Sequence, residues 1–190
     1  MRIIAGEFRG RALASPPGDT TRPITDRAKQ SLFDALQECF VGQTVLDCFA
    51  GTGSMGLECL SRGAAKAIFV ERDRGALRGL KQNLTELSVA DRAEILPIDA
   101  YTAADHPELF GERGLTIAFI DPPYVHATSG HERHRLDALL RGLAAHCMVD
   151  GGILSFRHPT NVSVEPAALG AKIVREFRYG TMAITWLAKA

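Results

Sequence analysis

From Val45 onward, short β-rich runs alternate with stretches of helical spacing. The runs are VLDCF, AIFVE and AEILP, and leucines recur every three or four residues between the second and the third. This alternation indicates βαβ units, because parallel strands need a crossover connection that is usually a helix. The run LTIAFI is apolar at both alternating sets of positions, as in a central strand covered on both faces. We therefore expect an α/β fold with a doubly wound, mostly parallel sheet.

The two ends of the chain depart from this alternation. The tail KIVREFRYGTMAITWL predicts two strands joined at Tyr179-Gly180, so the last strand should be antiparallel. Near the start, RIIAGEFRGRAL predicts a small hairpin that turns between Gly6 and Gly10, and Thr25 or Asp26 could cap a helix behind it. We expect one compact unit made of an extension, residues 1–40, and a core, residues 41–190.

Composition restricts the class of protein. A net charge of zero argues against a protein that holds nucleic acid chiefly by a basic surface. Residues 1–30 nevertheless carry six positive and three negative side chains, and the remainder carries 16 and 19. This basic extension favours an anionic polymer as partner, although ordinary variation in surface charge is an alternative.

Cellular location is indicated by what the sequence lacks. No run reaches the roughly 18 apolar residues of a membrane span, and no leader pattern opens the chain. The four cysteines have no C-x-x-C spacing, so we expect reduced thiols in a cytoplasmic protein that works as a monomer and away from membranes.

A glycine-rich turn, DCFAGTGSMG, follows the first core strand. It satisfies G-x-G-x-x-G, and Glu71 ends the second strand about 20 residues after Gly51, where a ribose-binding acid is expected. The pattern alone does not separate a dinucleotide from S-adenosylmethionine, because both present an adenosine ribose. Asp47 favours S-adenosylmethionine, since an acid there can face the cationic amino-acid end of that cofactor. The alternative is a turn that only packs.

Asp99 follows the third strand, where its carboxylate could accept a hydrogen bond from an adenine amino group. A lone aspartate in a loop could equally act as a local cap. The predicted cofactor contacts are the residues at three successive strand ends: Asp47, Ala50, Gly51, Gly53, Glu71, Arg72, Asp99 and Ala100.

The tetrapeptide Asp121-Pro122-Pro123-Tyr124 comes directly after LTIAFI, at the strand end where open α/β folds place their sites. An exocyclic amine of a base is a poor nucleophile, because its lone pair is delocalised into the ring. Asp121 and the carbonyl of Pro122 can accept hydrogen bonds from the two N–H groups of this amine, and Pro123 helps to fix the turn. Tyr124 offers a face on which an extruded base can stack. A structural turn is the alternative.

A metal site is not expected. His126, His131, His134 and Glu132 are near one another in sequence, but their spacing fits no common zinc signature.

These motifs together resemble the bacterial 16S ribosomal RNA guanine-N2 methyltransferases that modify guanine 966. The resemblance spans nearly the whole chain, and its N-terminal part is more specific to the family than the glycine turn. It rests on MRIIAG (1–6), RGR (9–11), TRP (21–23), TDR (25–27), LF (32–33), VLDCFAGTG (45–53), GLE (56–58), LSRGA (60–64), FVE (69–71), NL (83–84) and FIDPPY (119–124).

The resemblance implies a class I methyltransferase fold with a seven-stranded sheet, S-adenosylmethionine as cofactor and 16S RNA of the small ribosomal subunit as partner. It also implies an RNA-engaging N-terminal hairpin and a catalytic tetrapeptide at Asp121 to Tyr124. The substrate contacts expected from it are Arg9, Arg11, Arg22, Asp26 and Arg27. The chain departs from the family at Ser155-Phe156-Arg157-His158-Pro159, where an acidic residue is expected, and that segment could line the substrate side.

We therefore expect methyl transfer to a guanine N2 of 16S RNA. Alternatives are a DNA methyltransferase acting on adenine N6 or cytosine N4, a nicotinamide-dependent oxidoreductase and an RNA-binding module without activity. The chain length leaves little room for a separate DNA-reading domain, which favours RNA.

Overall fold

The computed structural model describes residues 1–14, 24–36, 39–111, 114–128 and 130–190. These residues form two compact units, Met1–Pro97 and Ile98–Ala190. The division into residues 1–40 and 41–190 stays a prediction. Within the described ranges, no helix is long and apolar enough to cross a membrane.

The first unit contains three parallel strands and three α-helices. The strands lie in the order β3-β2-β1. The central residues of β1 and β2 are buried apolar side chains such as Leu46 and Ile68, whereas β3 is half-buried. The side-chain hydroxyl oxygen of Thr25 accepts a hydrogen bond from the amide of Ala28 at 3.2 Å and so caps the first helix, as predicted. The elements are α1 (Asp26–Leu36), β1 (Thr44–Cys48), α2 (Ser54–Ser61), β2 (Lys66–Val70), α3 (Arg74–Glu86) and β3 (Ala93–Leu96).

The predicted N-terminal hairpin is present. Arg2 and Ala12 form an antiparallel bridge, and the amide of Ile3 donates to the carbonyl of Arg11 at 3.0 Å. Its turn packs against the end of α2. A Cβ at Gly6 would lie 1.9 Å from the carbonyl oxygen of Ser61, and the φ of Gly6 is +83°. Only glycine therefore fits this contact.

A buried carboxylate fastens the hairpin to the core of this unit. Glu58, in α2, is fully buried and accepts from the amides of Ile4 and Ala5 at 2.8 and 3.0 Å. It also pairs with the ammonium of Lys29 at 3.0 Å and with Arg62 at 2.8 Å. Burial lowers the pKa of Lys29, and Glu58 opposes that shift. The hairpin, α1 and α2 thus converge on one carboxylate.

The second unit contains four strands in the order β4-β5-β7-β6. β4 and β5 are parallel, and β7 runs antiparallel to both of its neighbours, which confirms the predicted antiparallel last strand. The elements are β4 (Leu115–Ile120), α4 (Tyr124–Thr128), α5 (Gly130–Gly142), β5 (Met148–Pro159), β6 (Ala171–Tyr179) and β7 (Met182–Lys189).

One strand is longer than its apolar pattern indicates. GILSF predicts five residues, whereas β5 covers 12 and continues through Arg157 and His158. Both side chains are buried, at 8% and 2% relative exposure, and each has a polar partner in this unit. A buried polar residue is tolerated in a strand when it is paired, and apolarity alone does not reveal this.

Replacement of Glu58 by alanine tests its role in stability. The variant leaves Lys29 buried without its counter-charge, so we expect the free energy of unfolding to fall by about 3–5 kcal/mol. Glu86→Ala, at an exposed position in α3, is the matched control and should change it by no more than about 0.5 kcal/mol. Chemical denaturation of both variants measures the difference, and equal stabilities would contradict the role given to Glu58.

Candidate functional site

The glycine turn of the first unit has two glycines with different constraints. Gly53 has a φ of +88°, which favours glycine, and a Cβ on it would lie 2.5 Å from the Cδ1 atom of the buried Leu80. Gly51 has a φ of +58°, and a Cβ on it would meet no heavy atom within 4 Å. The backbone at Gly51 therefore borders open space, which a bound molecule could approach.

The segment that leads from the end of β1 into this turn contains a strained residue, Phe49, and a buried hydrogen-bonded carboxylate, Asp47. Phe49 has a φ of +61°, a conformation that costs a residue with a side chain about 1–2 kcal/mol. Asp47 is 2% exposed, and its Oδ2 accepts from the amide of Gly56 at 2.9 Å. Asp47 thus has a structural role that sequence reasoning did not foresee, because it joins β1 to α2. Backbone strain of this kind is concentrated at functional sites.

Glu71, which directly follows β2, contacts the glycine turn. Its carboxylate accepts from the amides of Gly51, Arg72 and Asp73, each at 2.8 Å. These three bonds fix the orientation of the carboxylate. Because a carboxylate has about four acceptor positions, Glu71 retains capacity for a hydroxyl of a ligand. Gly51 and Glu71 are therefore brought together, and a contact of either residue with a cofactor stays a prediction.

The predicted substrate contacts of the first unit are mostly surface residues. Arg9 and Arg27 are exposed and have no ion pair within the described ranges. Arg11 donates to the carbonyl of Glu86 at 2.9 Å. Asp26 pairs with Arg2 at 2.6 Å, with both side chains half exposed. Arg22 lies outside the described residues.

Asp99, in the second unit, caps a short helical turn and is engaged by a cation. It accepts from the amide of Tyr101 at 3.3 Å and from Arg135 at 2.8 Å. The guanidinium of Arg135 also lies 4.1 Å from the centre of the Tyr101 ring. Hydrogen bonding to Asp99 raises the pKa of Arg135. The capping alternative is thus realised, and Ala100 is buried beside it; a contact with adenine stays a prediction.

Asp121 meets an arginine that the sequence reasoning did not assign to the site. In the parallel β4–β5 pair Ile120 is opposite Phe156, so the next residues, Asp121 and Arg157, are adjacent. The Nη1 of Arg157 donates to the Oδ2 of Asp121 at 2.8 Å. Burial raises the pKa of the Asp121 carboxyl, and Arg157 opposes that rise. The sequence did contain one indication of this pairing. Segment 155–159 holds an arginine where the family resemblance leads us to expect an acidic residue.

The rest of the tetrapeptide offers two backbone carbonyls, at Pro122 and Pro123, and the aromatic ring of Tyr124. The carbonyl of Pro123 accepts from the amide of His126 at 2.9 Å. The carbonyl of Pro122, by contrast, accepts no hydrogen bond from the described residues. Tyr124 begins α4, and the Arg157 guanidinium lies 5.5 Å from the centre of its ring. One arginine thus contacts both the first and the last residue of the tetrapeptide.

His158 belongs to the core, in contrast to the expectation that its segment could line the substrate side. Its Nε2 lies 2.9 Å from the hydroxyl of Thr185, its Nδ1 lies 2.9 Å from the carbonyl of Pro159, and its ring stacks on Phe156. Burial lowers its pKa. Among the described residues, no group of three or more His, Cys, Asp or Glu could hold a metal ion.

Known proteins resemble this chain over most of its length. Residues 1–188 match the family described as "Conserved hypothetical protein 95". The "Putative rRNA methyltransferase YlbH" of Bacillus subtilis is 35% identical over 181 residues, 95% of this chain and 94% of that protein. The "Ribosomal RNA small subunit methyltransferase D" of Escherichia coli is 40% identical over 126 residues, 65% of this chain and 60% of that protein.

A solved structure agrees with the expected fold. The "Putative methyltransferase yhhF" of Escherichia coli superposes with a TM-score of 0.78 at 30% identity and covers 100% of this chain and 97% of that one. The predicted class I methyltransferase fold is thereby confirmed.

The pKa of His158 predicts a pH dependence of stability. The folded protein keeps this imidazole neutral, whereas the unfolded chain binds a proton below about pH 6.5. The unfolded state thus binds more protons, so stability falls as pH decreases below that value, by up to about 1.4 kcal/mol per pH unit. His158→Gln should lose this part of the slope, and His146→Gln, at an exposed position, should keep it. Denaturation across this range measures both slopes, and an unchanged slope in His158→Gln would contradict the assignment.

Proposed function

We propose that this chain, which belongs to the conserved hypothetical protein 95 family, transfers a methyl group from S-adenosylmethionine to the exocyclic N2 of a guanine in 16S ribosomal RNA. The relatives named as ribosomal RNA methyltransferases support the substrate class. The observation that carries the proposal is the arrangement at β4, where an oriented carboxylate and a carbonyl lie in one tetrapeptide beside an aromatic ring. A cytoplasmic location and a ribosomal partner belong to the same proposal.

The glycine turn fits the proposed cofactor. Gly51 leaves room for a molecule to approach its backbone, and Glu71 is oriented to accept from a ribose hydroxyl. Asp99, with Ala100, is the proposed contact for the adenine, and Asp47, Ala50, Gly53 and Arg72 complete the proposed set. When bound, S-adenosylmethionine supplies a methyl group on a positively charged sulfur, which is an intrinsically reactive donor.

The chain's own residues would prepare the amine. The Oδ1 of Asp121 and the carbonyl of Pro122 accept its two N–H bonds, which favours a pyramidal nitrogen whose lone pair points away from the ring. Tyr124 stacks on the extruded base. The amine nitrogen would accept the methyl group, and the Asp121 carboxylate would accept the one proton that the methylated amine releases. Alignment and polarisation account for the protein's contribution to the rate.

The exposed arginines of the N-terminal extension suit a phosphate backbone. Arg9 and Arg27 have no competing carboxylate among the described residues, so their charges are available to an anionic polymer. Arg11 and Asp26 belong to the same proposed surface, and Arg22, which lies outside the described residues, stays a proposed substrate contact from the sequence. The neutral net charge is consistent with a substrate recognised by structure as well as by charge.

Gly51→Ala tests the cofactor assignment. Gly180 is its matched control, since its φ is +60° and a Cβ on it would also meet no heavy atom within 4 Å. Each substitution should cost about 1–2 kcal/mol of stability. A clash of about 1.4 kcal/mol with a ligand weakens binding tenfold, and we expect at least that loss of S-adenosylhomocysteine affinity in Gly51→Ala alone. Calorimetric titration measures it, and equal affinities in the two variants would count against the site.

Asp121→Ala tests the proposed reaction. The wild-type protein is incubated with labelled S-adenosylmethionine and unmodified small subunits, naked 16S RNA or duplex DNA, and the nucleosides are identified by mass spectrometry. We expect N2-methylguanosine in the ribosomal samples. Asp121→Ala should lower the rate by about 10²–10³-fold without changing the affinity for S-adenosylhomocysteine. Asp150→Ala, at an exposed position, should have the wild-type rate.

The other outcomes separate the alternatives. Methyladenine or methylcytosine in DNA would keep the amine chemistry and replace the substrate. RNA binding without turnover would indicate a binding module, and affinity for a nicotinamide dinucleotide in place of S-adenosylhomocysteine would indicate an oxidoreductase. Full activity in Asp121→Ala would overturn the role given to that carboxylate.

A further inference from the structure

We propose that Arg157 is the positioning residue of the amine-methylation site, because it holds one oxygen of the Asp121 carboxylate and leaves the other to face the target amine. This inference rests on the proposed function and adds to it a residue at which the chain departs from the family pattern.

The geometry separates the two oxygens of Asp121. Oδ2 is held by the Nη1 of Arg157 at 2.8 Å, whereas Oδ1 accepts no hydrogen bond from any other part of the chain that the structure describes. The ion pair therefore fixes the rotation of the carboxylate and leaves one oxygen for the amine. A carboxylate without such an anchor would sample other rotations and lose the alignment on which transfer depends.

Burial opposes the charge of Asp121, and the cation of Arg157 supports it. The side chain of Arg157 is 9% exposed and that of Asp121 is 31% exposed, so water screens this pair less than a surface pair. Desolvation favours the protonated carboxyl, which cannot accept a proton from the amine. Arg157, in β5, is the charged group of the second unit that opposes this effect at Asp121. The titratable groups of the adjoining α4 are Tyr124 and His126.

Arg157 also contacts the other end of the tetrapeptide. Its guanidinium lies 5.5 Å from the centre of the Tyr124 ring, within the range of a cation–π interaction. The guanidinium is planar and permanently charged, so one group can donate to a carboxylate and lie over a ring at the same time. A lysine could preserve the charge but not the planar contact. This difference allows charge and shape to be tested separately.

The test compares the pH dependence of single-turnover methyl transfer in Arg157→Met, Arg157→Gln and Arg157→Lys. Arg141→Met is the matched control, because this exposed arginine donates only to the carbonyl of Ala168 within the described residues. Asp121 acts in its ionised form, so activity falls as pH decreases through its pKa. Removal of the cation raises that pKa, so the acid limb of the profile should move to higher pH.

We expect a shift of about one pH unit or more in the Met and Gln variants, since a neighbouring arginine lowers the pKa of an aspartate by about 1–3 units. Their loss of activity should thus be about tenfold greater on the acid limb than on the plateau. Arg157→Lys should keep the wild-type acid limb at a lower plateau rate, and Arg141→Met should match the wild type. Affinity for S-adenosylhomocysteine should be the same in all variants.

The outcomes distinguish this inference from the function on which it rests. An active wild type whose acid limb is unchanged in a folded Met or Gln variant would overturn the inference alone. Equal acid-limb shifts in Arg157→Lys and Arg157→Met would overturn it as well, because a lost fold or packing contact would then account for both. A wild type that methylates no RNA would overturn the proposed function and this inference together. Thermal unfolding of each variant establishes which of them are folded.

Discussion

The fold depends on one physical constraint: a carboxylate that leaves water must be given donors in exchange. In the first unit this exchange organises the structure. Glu58 binds the hairpin amides, Lys29 and Arg62, and Glu71 binds three amides around the glycine turn. Asp47 accepts from the amide of Gly56 in the first turn of α2. Glu58 joins α2 to the hairpin, more than 50 residues earlier in the chain, and Glu71 joins the end of β2 to the glycine turn.

The second unit satisfies the same constraint differently. Asp121 is held by one arginine through one oxygen, so part of its capacity to accept hydrogen bonds remains for another molecule. A fully satisfied carboxylate, such as Glu58, is suited to stability, whereas a partly satisfied and oriented one is suited to catalysis. The same residue type thus serves structure in one unit and, as we propose, chemistry in the other. The difference lies in how many donors surround each carboxylate.

Sequence reasoning predicted the features that depend on local pattern. The alternation of apolar runs predicted the order of strands and helices along the chain, and it placed the glycine turn and Glu71 at the ends of β1 and β2. It did not predict the partners of buried charges. Arg157 and Lys29 are identical in type to surface residues, and only register or packing brings them to Asp121 and Glu58. The C-terminal end of β5 was underestimated for the same reason, because Arg157 and His158 are buried with polar partners.

The central claim, that the amine site at Asp121 methylates guanine N2 in the small subunit, is tested most directly in cells. The modified nucleosides of 16S RNA are compared between a strain lacking this gene and strains that carry the wild-type gene or Asp121→Ala. The account predicts that one N2-methylguanosine is lost in the deletion strain, restored by the wild-type gene and not restored by the variant. An unchanged N2-methylguanosine content in the deletion strain, or full restoration by Asp121→Ala, would contradict it.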